Sequence, residues 1–269
     1  MMANNKSLGQ HWLKNREILD YISNTVGGVA CPSDTLRAAQ AKSSRSAEHI
    51  TPPTVLEIGP GLGTLTSSLL KVFDKVIAVE FDKKLAHNLP ASFPGKNLEV
   101  VNGDILKFDF DSVPAPYAVA GNIPYYITSP IIERVLTAKN RPEKVVLLMQ
   151  KEVAERIVSD KETVLSLKCK NLADVALGEV VKAAEFTPPP KVDSQVVIFV
   201  PHERVVGDEV FEIIKVAFEK PRKKAVNNLG RLVGETRVRE IFRELGIDEN
   251  ARPGDLHLAE YNKIYQKMV

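Results

Sequence analysis

An α/β domain built on a mostly parallel sheet, followed by a small all-helical domain, is the fold the sequence predicts. Three observations carry it. Short apolar runs at 55–58, 76–79, 98–101, 117–120 and 144–149 alternate with helical patterning, the β-α-β rhythm of a parallel sheet. The first run enters a turn with glycine at alternate positions, Gly59-Pro60-Gly61-Leu62-Gly63. From Asp208 on the apolar period lengthens to helical spacing, through Val210, Ile213, Ile214 and Ala217 and again through Val238, Ile241, Phe242 and Leu245.

Taken in order, residues 1–29 read as an N-terminal arm and an amphipathic helix through Ile18, Leu19, Ile22 and Val26. Residues 30–53 form a polar, Ser- and Pro-containing stretch, expected to be a loop with a short helix at Asp34 to Ala41. The strand Val55-Leu56-Glu57-Ile58 then meets the glycine turn, and a helix is expected from Leu65 to Val72. Glycines at 59, 61 and 63 let the backbone turn sharply and approach a ligand with no Cβ in the way. A dinucleotide fingerprint would need a further glycine where Thr64 stands, and no Gly-Lys-Ser/Thr follows for a P-loop. A nucleoside without phosphates therefore fits better than a pyrophosphate.

The next strand ends in Glu80, about twenty residues past the glycines, where an acid can accept hydrogen bonds from both ribose hydroxyls. The strand at 98–101 leads to Gly103-Asp104, whose carboxylate can accept from an adenine amine. Tyr117-Ala118-Val119-Ala120 runs into Gly121-Asn122-Ile123-Pro124-Tyr125. That tip gathers an amide side chain, a free main-chain carbonyl and a flat ring, which suits the exocyclic amine of a base. Read alone, Asn-x-Pro-Tyr is a strand-terminating turn and each acid a solvated strand end. Four strand tips carrying such groups in succession, at the edge where open α/β sheets bind ligands, favour a site. Val180 to Ala184 and Gln195 to Val200 read as two late strands around Pro188-Pro189-Pro190.

These residues carry a resemblance. Lys6-Ser7-Leu8-Gly9-Gln10-His11-Trp12-Leu13, Glu57 to Gly63, Glu80, Asn102-Gly103-Asp104, Gly121 to Tyr125 and Phe186-Thr187-Pro188-Pro189-Pro190-Lys191-Val192-Asp193-Ser194, with Gln150 to Ile157, cover nearly the whole chain. Together they resemble the ribosomal RNA adenine N6,N6-dimethyltransferase family, nearer its small-subunit (KsgA-type) branch than the erythromycin-resistance branch. The glycine motif alone marks only a broad methyltransferase class, whereas the first and last blocks and Asn-Ile-Pro-Tyr are specific.

The resemblance implies a Rossmann-like, seven-stranded class I methyltransferase sheet with its last strand antiparallel, over residues 1–203, and a C-terminal helical RNA-binding domain at 204–269. It implies S-adenosyl-L-methionine as methyl donor. His11 and Leu13 would cover this cofactor, Gly59 and Gly61 would approach its methionine part, Glu80 its ribose and Asp104 its adenine amine. Asn122 would bridge cofactor and target base, its side-chain oxygen and the Pro124 carbonyl binding the two hydrogens of the target amine. Tyr125 would stack on the target adenine and Phe186 would clamp the opposite face, although Phe186 equally suits a core and Tyr125 a cap on the sheet. Two departures stand out: the inserted 30–53 stretch, and Asp160 to Leu167 in place of a Tyr-Gly-containing loop.

Composition agrees with this. The chain has 269 residues, 44% hydrophobic and 26% charged, with a net charge of only +2. A nucleic-acid footprint must therefore come from local patches, the clearest being Lys220-Pro221-Arg222-Lys223-Lys224, with Arg231, Arg237 and Arg239 downstream among acidic residues. Cys31 and Cys169 are too few for a disulfide framework, and with His11, His49, His87, His202 and His257 they show no metal-ligand spacing, so no metal is expected. No apolar stretch approaches the ~20 residues of a membrane helix, and the N-terminus lacks a signal-peptide core. A cytoplasmic monomer is expected.

The favoured function is dimethylation of adjacent adenines in small-subunit ribosomal RNA, on an immature small subunit. The alternatives are a large-subunit adenine methyltransferase of the macrolide-resistance type, and an RNA-binding ribosome-assembly factor whose methyl transfer is secondary.

Overall fold

The computed structural model describes residues 10–28 and 52–269. Lys6 to Gly9, the expected helix at Asp34 to Ala41, Cys31 and His49 lie outside them. The chain divides into two compact units, Met1–Ala154 with Asp174–Pro201, and Glu155–Ala173 with His202–Val269.

The first unit holds a seven-stranded sheet. Its strands are β2 (Thr54–Ile58), β3 (Lys75–Glu80), β4 (Leu98–Asn102), β5 (Tyr117–Asn122), β6 (Lys144–Gln150), β7 (Ala173–Val181) and β9 (Ser194–Pro201), in the order β4-β3-β2-β5-β6-β9-β7. The pairs β2–β3, β2–β5, β3–β4 and β5–β6 are parallel, and β9 runs antiparallel to β6. Two short strands, β1 (Trp12–Leu13) and β8 (Phe186–Thr187), pair separately and antiparallel. Helix α1 (Arg16–Val26) starts at Asn15, whose side chain accepts from the Glu17 and Ile18 amides. It buries Leu19, Ile22 and Val26 against the sheet core with Val55, Ala118, Val146 and Val196. Helices α2 (Thr64–Leu69), α3 (Lys83–Asn88) and α4 (Thr128–Leu136) follow β2, β3 and β5.

The late strands differ from expectation. A strand at 180–184 is not formed; β7 covers 173–181 and Ala183–Glu185 is a 3-10 turn. Asp174, Gly178 and Glu179 are poor strand formers and β7 is only partly buried, so its apolar signal is weak where the strand lies and stronger at its end.

Strand β2 is buried along its length and contains an acid, Glu57, 1% exposed. Thr66 on α2 donates its hydroxyl to Glu57 Oε2 at 2.6 Å. Burial pushes the Glu57 carboxyl up to about 8, with the Thr66 bond opposing and nearby Glu80 adding to the rise. The folded chain thus holds this proton more tightly than the unfolded chain. The stability it contributes is complete below pH about 4.5 and is lost as pH climbs towards about 8. At ~1.4 kcal/mol per pH unit the loss by pH 8 amounts to roughly 3–5 kcal/mol. Glu57→Gln keeps the shape and an acceptor for Thr66 and removes the titration. Its denaturation midpoint is expected to fall clearly less between pH 5 and 8.5 than that of the native chain; parallel curves for the two proteins would contradict a buried neutral acid.

The second unit is helical: α6 (Val164–Leu172), α7 (Asp208–Phe218), α8 (Ala225–Val233), α9 (Glu235–Leu245) and α10 (Leu258–Met268), with the division falling inside α5 (Lys151–Val158). Ile214, Val226, Leu229, Ile241, Phe242 and Tyr261 form its core. The later break at Pro201/His202 lies two residues from the boundary expected at 203, and the unit also takes in 155–173. The departure at Asp160 to Leu167 belongs here. Glu162, 4% exposed, accepts from Ser166, Lys170 and His257 at 2.6–2.9 Å, and these bonds hold its carboxyl low against burial. Thr163 and Ser166 then cap α6 reciprocally.

Candidate active site

The sheet registers decide what meets at its edge. Ile58 lies opposite Val79 on β3 and Gly121 on β5, and Glu80 lies opposite Asn102 on β4. One step beyond these pairs, Gly59, Glu80, Gly103-Asp104 and Asn122 stand side by side at the carboxyl ends of neighbouring strands. The chain leaves β2 in one direction, towards β3 and β4, and returns to add β5 on the other side. The tips of β2 and β5 are therefore a topological switch point, where such sheets open a crevice.

A cavity of about 260 Å³ fills that crevice. Of the residues singled out in the sequence, His11, Gly59, Gly61, Glu80, Asp104, Asn122, Pro124 and Tyr125 line it. Gly59 has φ of +65°, and a Cβ built on it would meet nothing within 4 Å, so its bare backbone borders open space. Glu80 is 5% exposed. Its Oε2 accepts from the Gly61 amide at 3.0 Å and its Oε1 from the Asp82 amide at 2.8 Å. Burial raises its carboxyl above the usual range, and those backbone bonds counter the rise. Each oxygen keeps a further lone pair. Asp104 Oδ1 accepts from the Leu106 amide at 2.9 Å, and Oδ2 has no partner among the described residues.

Asn122 is the last residue of β5, and its amide is oriented from far away in sequence. Its Nδ2 donates to the main-chain oxygen of His11 at 2.8 Å, which leaves Oδ1 as the free acceptor. The arm that brings His11 there is itself held: Trp12 pairs with Thr187, Leu13 with Phe186, Lys14 donates its amide to Glu185, and His11 Nδ1 donates to the Pro188 carbonyl at 2.8 Å. Tyr125 shares a 2.6 Å hydrogen bond with Ser194 at the start of β9, and the His11 ring stacks on it at 5.9 Å between centroids. Burial raises the Tyr125 phenol, so the ring is a neutral platform.

Three expected roles change. The Phe186 side chain is 2% exposed in the sheet core, not on the cavity, because the β1–β8 pairing sets it beside Leu13. Leu13, at 1% exposure, is core as well. The Pro124 carbonyl is engaged by its own turn, accepting from the Ile127 amide at 3.2 Å and the Thr128 hydroxyl at 3.5 Å. The Ile123 carbonyl accepts nothing among the described residues. Three aromatic residues were given no role in the sequence reading: Trp12 lines the cavity, and Phe81 and Tyr126, 62% and 64% exposed, also border it. Their position beside Glu80, Tyr125 and His11 was the available signal.

In the helical unit the basic residues separate into two kinds. Arg231, Arg237, Arg239 and Arg243 are ion-paired with Glu219, Glu240, Glu235 and Glu249. Lys220, Arg222, Lys223 and Lys224 are exposed and have no acidic partner among the described residues. Their turn is fixed beneath by buried Asn228, whose Nδ2 donates to the Ala217 and Lys220 carbonyls at 2.6 and 3.0 Å. No described helix is long and apolar enough to cross a membrane, and no described group of His, Cys, Asp and Glu could hold a metal.

Comparison with known proteins bears on this geometry. A family model described as ribosomal RNA adenine dimethylase matches residues 1–268. Ribosomal RNA small subunit methyltransferase A of Dehalococcoides mccartyi is 35% identical over 96% of this chain and 86% of its own length. The protein of the same name from a Nostoc species is 34% identical over 98% and 97%. Among solved structures, a dimethyladenosine transferase from Plasmodium falciparum superposes with a TM-score of 0.74 at 25% identity, covering 94% of this chain and 96% of that one. The 23S rRNA methyltransferase ErmE shares the fold, with a TM-score of 0.72 at 24% identity over 96% and 99%.

Proposed function

The chain belongs to the ribosomal RNA adenine dimethylase family, and from that premise we propose that it dimethylates N6 of adjacent adenines in small-subunit ribosomal RNA, with S-adenosylmethionine as methyl donor. The observation that carries the reading is the alignment of Gly59, Glu80, Asp104 and Asn122 on one cavity by strand register. The name shared by the curated relatives favours the small subunit over the large; likeness to the 23S enzyme is a likeness of fold. The substrate would be the RNA of an immature small subunit in the cytoplasm, met by a monomer.

The residues fit the cofactor. Gly59 leaves room for a close approach, the spare lone pairs of Glu80 suit ribose hydroxyls, and Asp104 Oδ2 suits an adenine amine. When bound, S-adenosylmethionine supplies a methyl group on a cationic sulfur, already reactive without an acid. What the protein must do is prepare the nucleophile. An adenine N6 lone pair is delocalised into the ring, so the free amine is weakly nucleophilic. Asn122 Oδ1 accepts one of its hydrogens and a main-chain carbonyl of the Ile123-Pro124 turn the other; Ile123 offers the unoccupied one. Held so, the nitrogen turns towards tetrahedral geometry and its lone pair is aimed; orientation and fixed dipoles supply the rate enhancement. Tyr125 offers its face to the base. The base must leave its stack to arrive, and stacking returns roughly 1–3 kcal/mol. The proton released leaves to water.

Transfer of labelled methyl from S-adenosylmethionine to separated small- and large-subunit RNAs, followed by mapping of the modified bases, tests the reading. Label on adjacent adenines of the small-subunit RNA is expected. Label in the large-subunit RNA alone would support the macrolide-resistance reading, and RNA binding without label an assembly factor.

A further inference from the structure

Trp12 is the chain's single tryptophan, and it lines the cavity beside Gly59 and Gly61. Its indole lies on the glycine turn. A Cβ at Gly61 would come within 3.0 Å of Trp12 Nε1 and 3.1 Å of Cδ1, so a residue without a side chain is what lets the ring settle there. The indole nitrogen is a donor only, and here it is buried with no hydrogen-bond partner. An unmade bond of this kind is costly, and native structures leave few. Loose placement of the arm does not account for it. On either side the segment is tied by the His11 bonds to Asn122 and Pro188, by the Lys14 bond to Glu185 and by the β1–β8 pairing.

The three glycine amides of the turn are already engaged. The Gly59 amide donates to Val79, the Gly61 amide to Glu80 and the Gly63 amide to Pro60. Among the described residues no lysine or arginine lines the cavity. A carboxylate seated against these glycines meets no spare glycine N–H, and a further donor beside the turn would hold it.

We propose that Trp12 is a cofactor-recognising residue, its indole N–H donating to the carboxylate at the methionine end of S-adenosylmethionine. This rests on the cofactor reading above. The bound amino-acid end gives the orphaned donor its acceptor, and the donor gives the carboxylate a charge-assisted partner on a cavity with no lysine or arginine among its described lining residues. Because the chain has one tryptophan, its emission reports occupancy of that end directly.

The test uses binding rather than turnover. Two probes are titrated into the native chain and Trp12→Phe, which keeps a ring but loses the N–H. S-adenosylhomocysteine carries the carboxylate, whereas 5′-methylthioadenosine has the nucleoside without the amino-acid end. S-adenosylhomocysteine is expected to change the native emission saturably. By calorimetry the variant should bind it about tenfold or more weakly, as for a lost hydrogen bond to a charged group, and bind methylthioadenosine as the native chain does. Equal affinity of variant and native chain for S-adenosylhomocysteine would overturn the proposal. So would an equal loss for both probes, which would make Trp12 a packing residue. If the native chain binds neither probe, the cofactor reading itself falls and this proposal with it.

Discussion

Asn122→Ala is expected to slow methyl transfer by about 10²–10³-fold while weakening cofactor binding only a few-fold. The magnitude is that of removing one preorganised polar contact to the reacting group in an enclosed site. Two features of the structure make the contact preorganised. The side chain stands at the end of a central strand whose preceding residues are fully buried, so the backbone carrying it has no slack. The amide is also turned by its bond to the His11 carbonyl, which presents Oδ1 rather than Nδ2. Alanine removes the acceptor and releases the arm together, and two measurements separate these effects. Single-turnover rate at saturating cofactor and RNA reads the acceptor; calorimetric affinity for S-adenosylhomocysteine reads the arm. A rate within about fivefold of native would remove Asn122 from the chemistry. A loss of affinity as large as the loss of rate would make it a support for the cofactor site.

How legible this site was depends on which residues are considered. Glu80, Asp104 and Asn122 follow short apolar strands directly, and parallel strands in a β-α-β series must end on the same edge. Local pattern plus one topological rule was enough. The arm was legible only as a motif. His11 reaches Asn122 across 111 positions and Pro188 across 177, and no periodicity in one sequence encodes a contact so distant. For the same reason Phe186 and Leu13 read as site residues: each stands in a motif-rich block, and only their mutual pairing turns both side chains into the core. Strand β7 was hidden by Asp174, Gly178 and Glu179, poor strand formers within a partly buried strand. The orphaned donor on Trp12 is a tertiary property altogether, existing because Gly61 lies beneath the ring.

Replacing Arg222, Lys223 and Lys224 together by alanine is expected to weaken RNA binding on the order of a hundredfold near 0.1 M salt. The slope of log affinity against log salt should fall by roughly 2–3, at ~0.7–0.9 for each phosphate the protein no longer neutralises. Affinity for S-adenosylhomocysteine should not move. Pairing in the helical unit justifies choosing these three. The downstream arginines already face carboxylates, so their charge is largely neutralised locally. The cluster at 222–224 has no such partner among the described residues; Lys224 donates to the neutral side chain of Asn250, at 2.6 Å. It also stands at the wrong end of a helix for its charge. Helix α8 begins at Ala225 with Lys224 as its uncapped N-terminal neighbour and no acid in the first turn, so basic side chains crowd the positive pole of the helix dipole. That arrangement is unfavourable in the free protein, and a phosphate accepting from the basic side chains would relieve it. Arg239→Ala is the contrast. It breaks existing pairs with Glu235 and Glu249 and is expected to leave the salt slope nearly unchanged. If the triple variant keeps the native slope, or Arg239→Ala lowers it as much, the phosphate contacts lie elsewhere on the molecule.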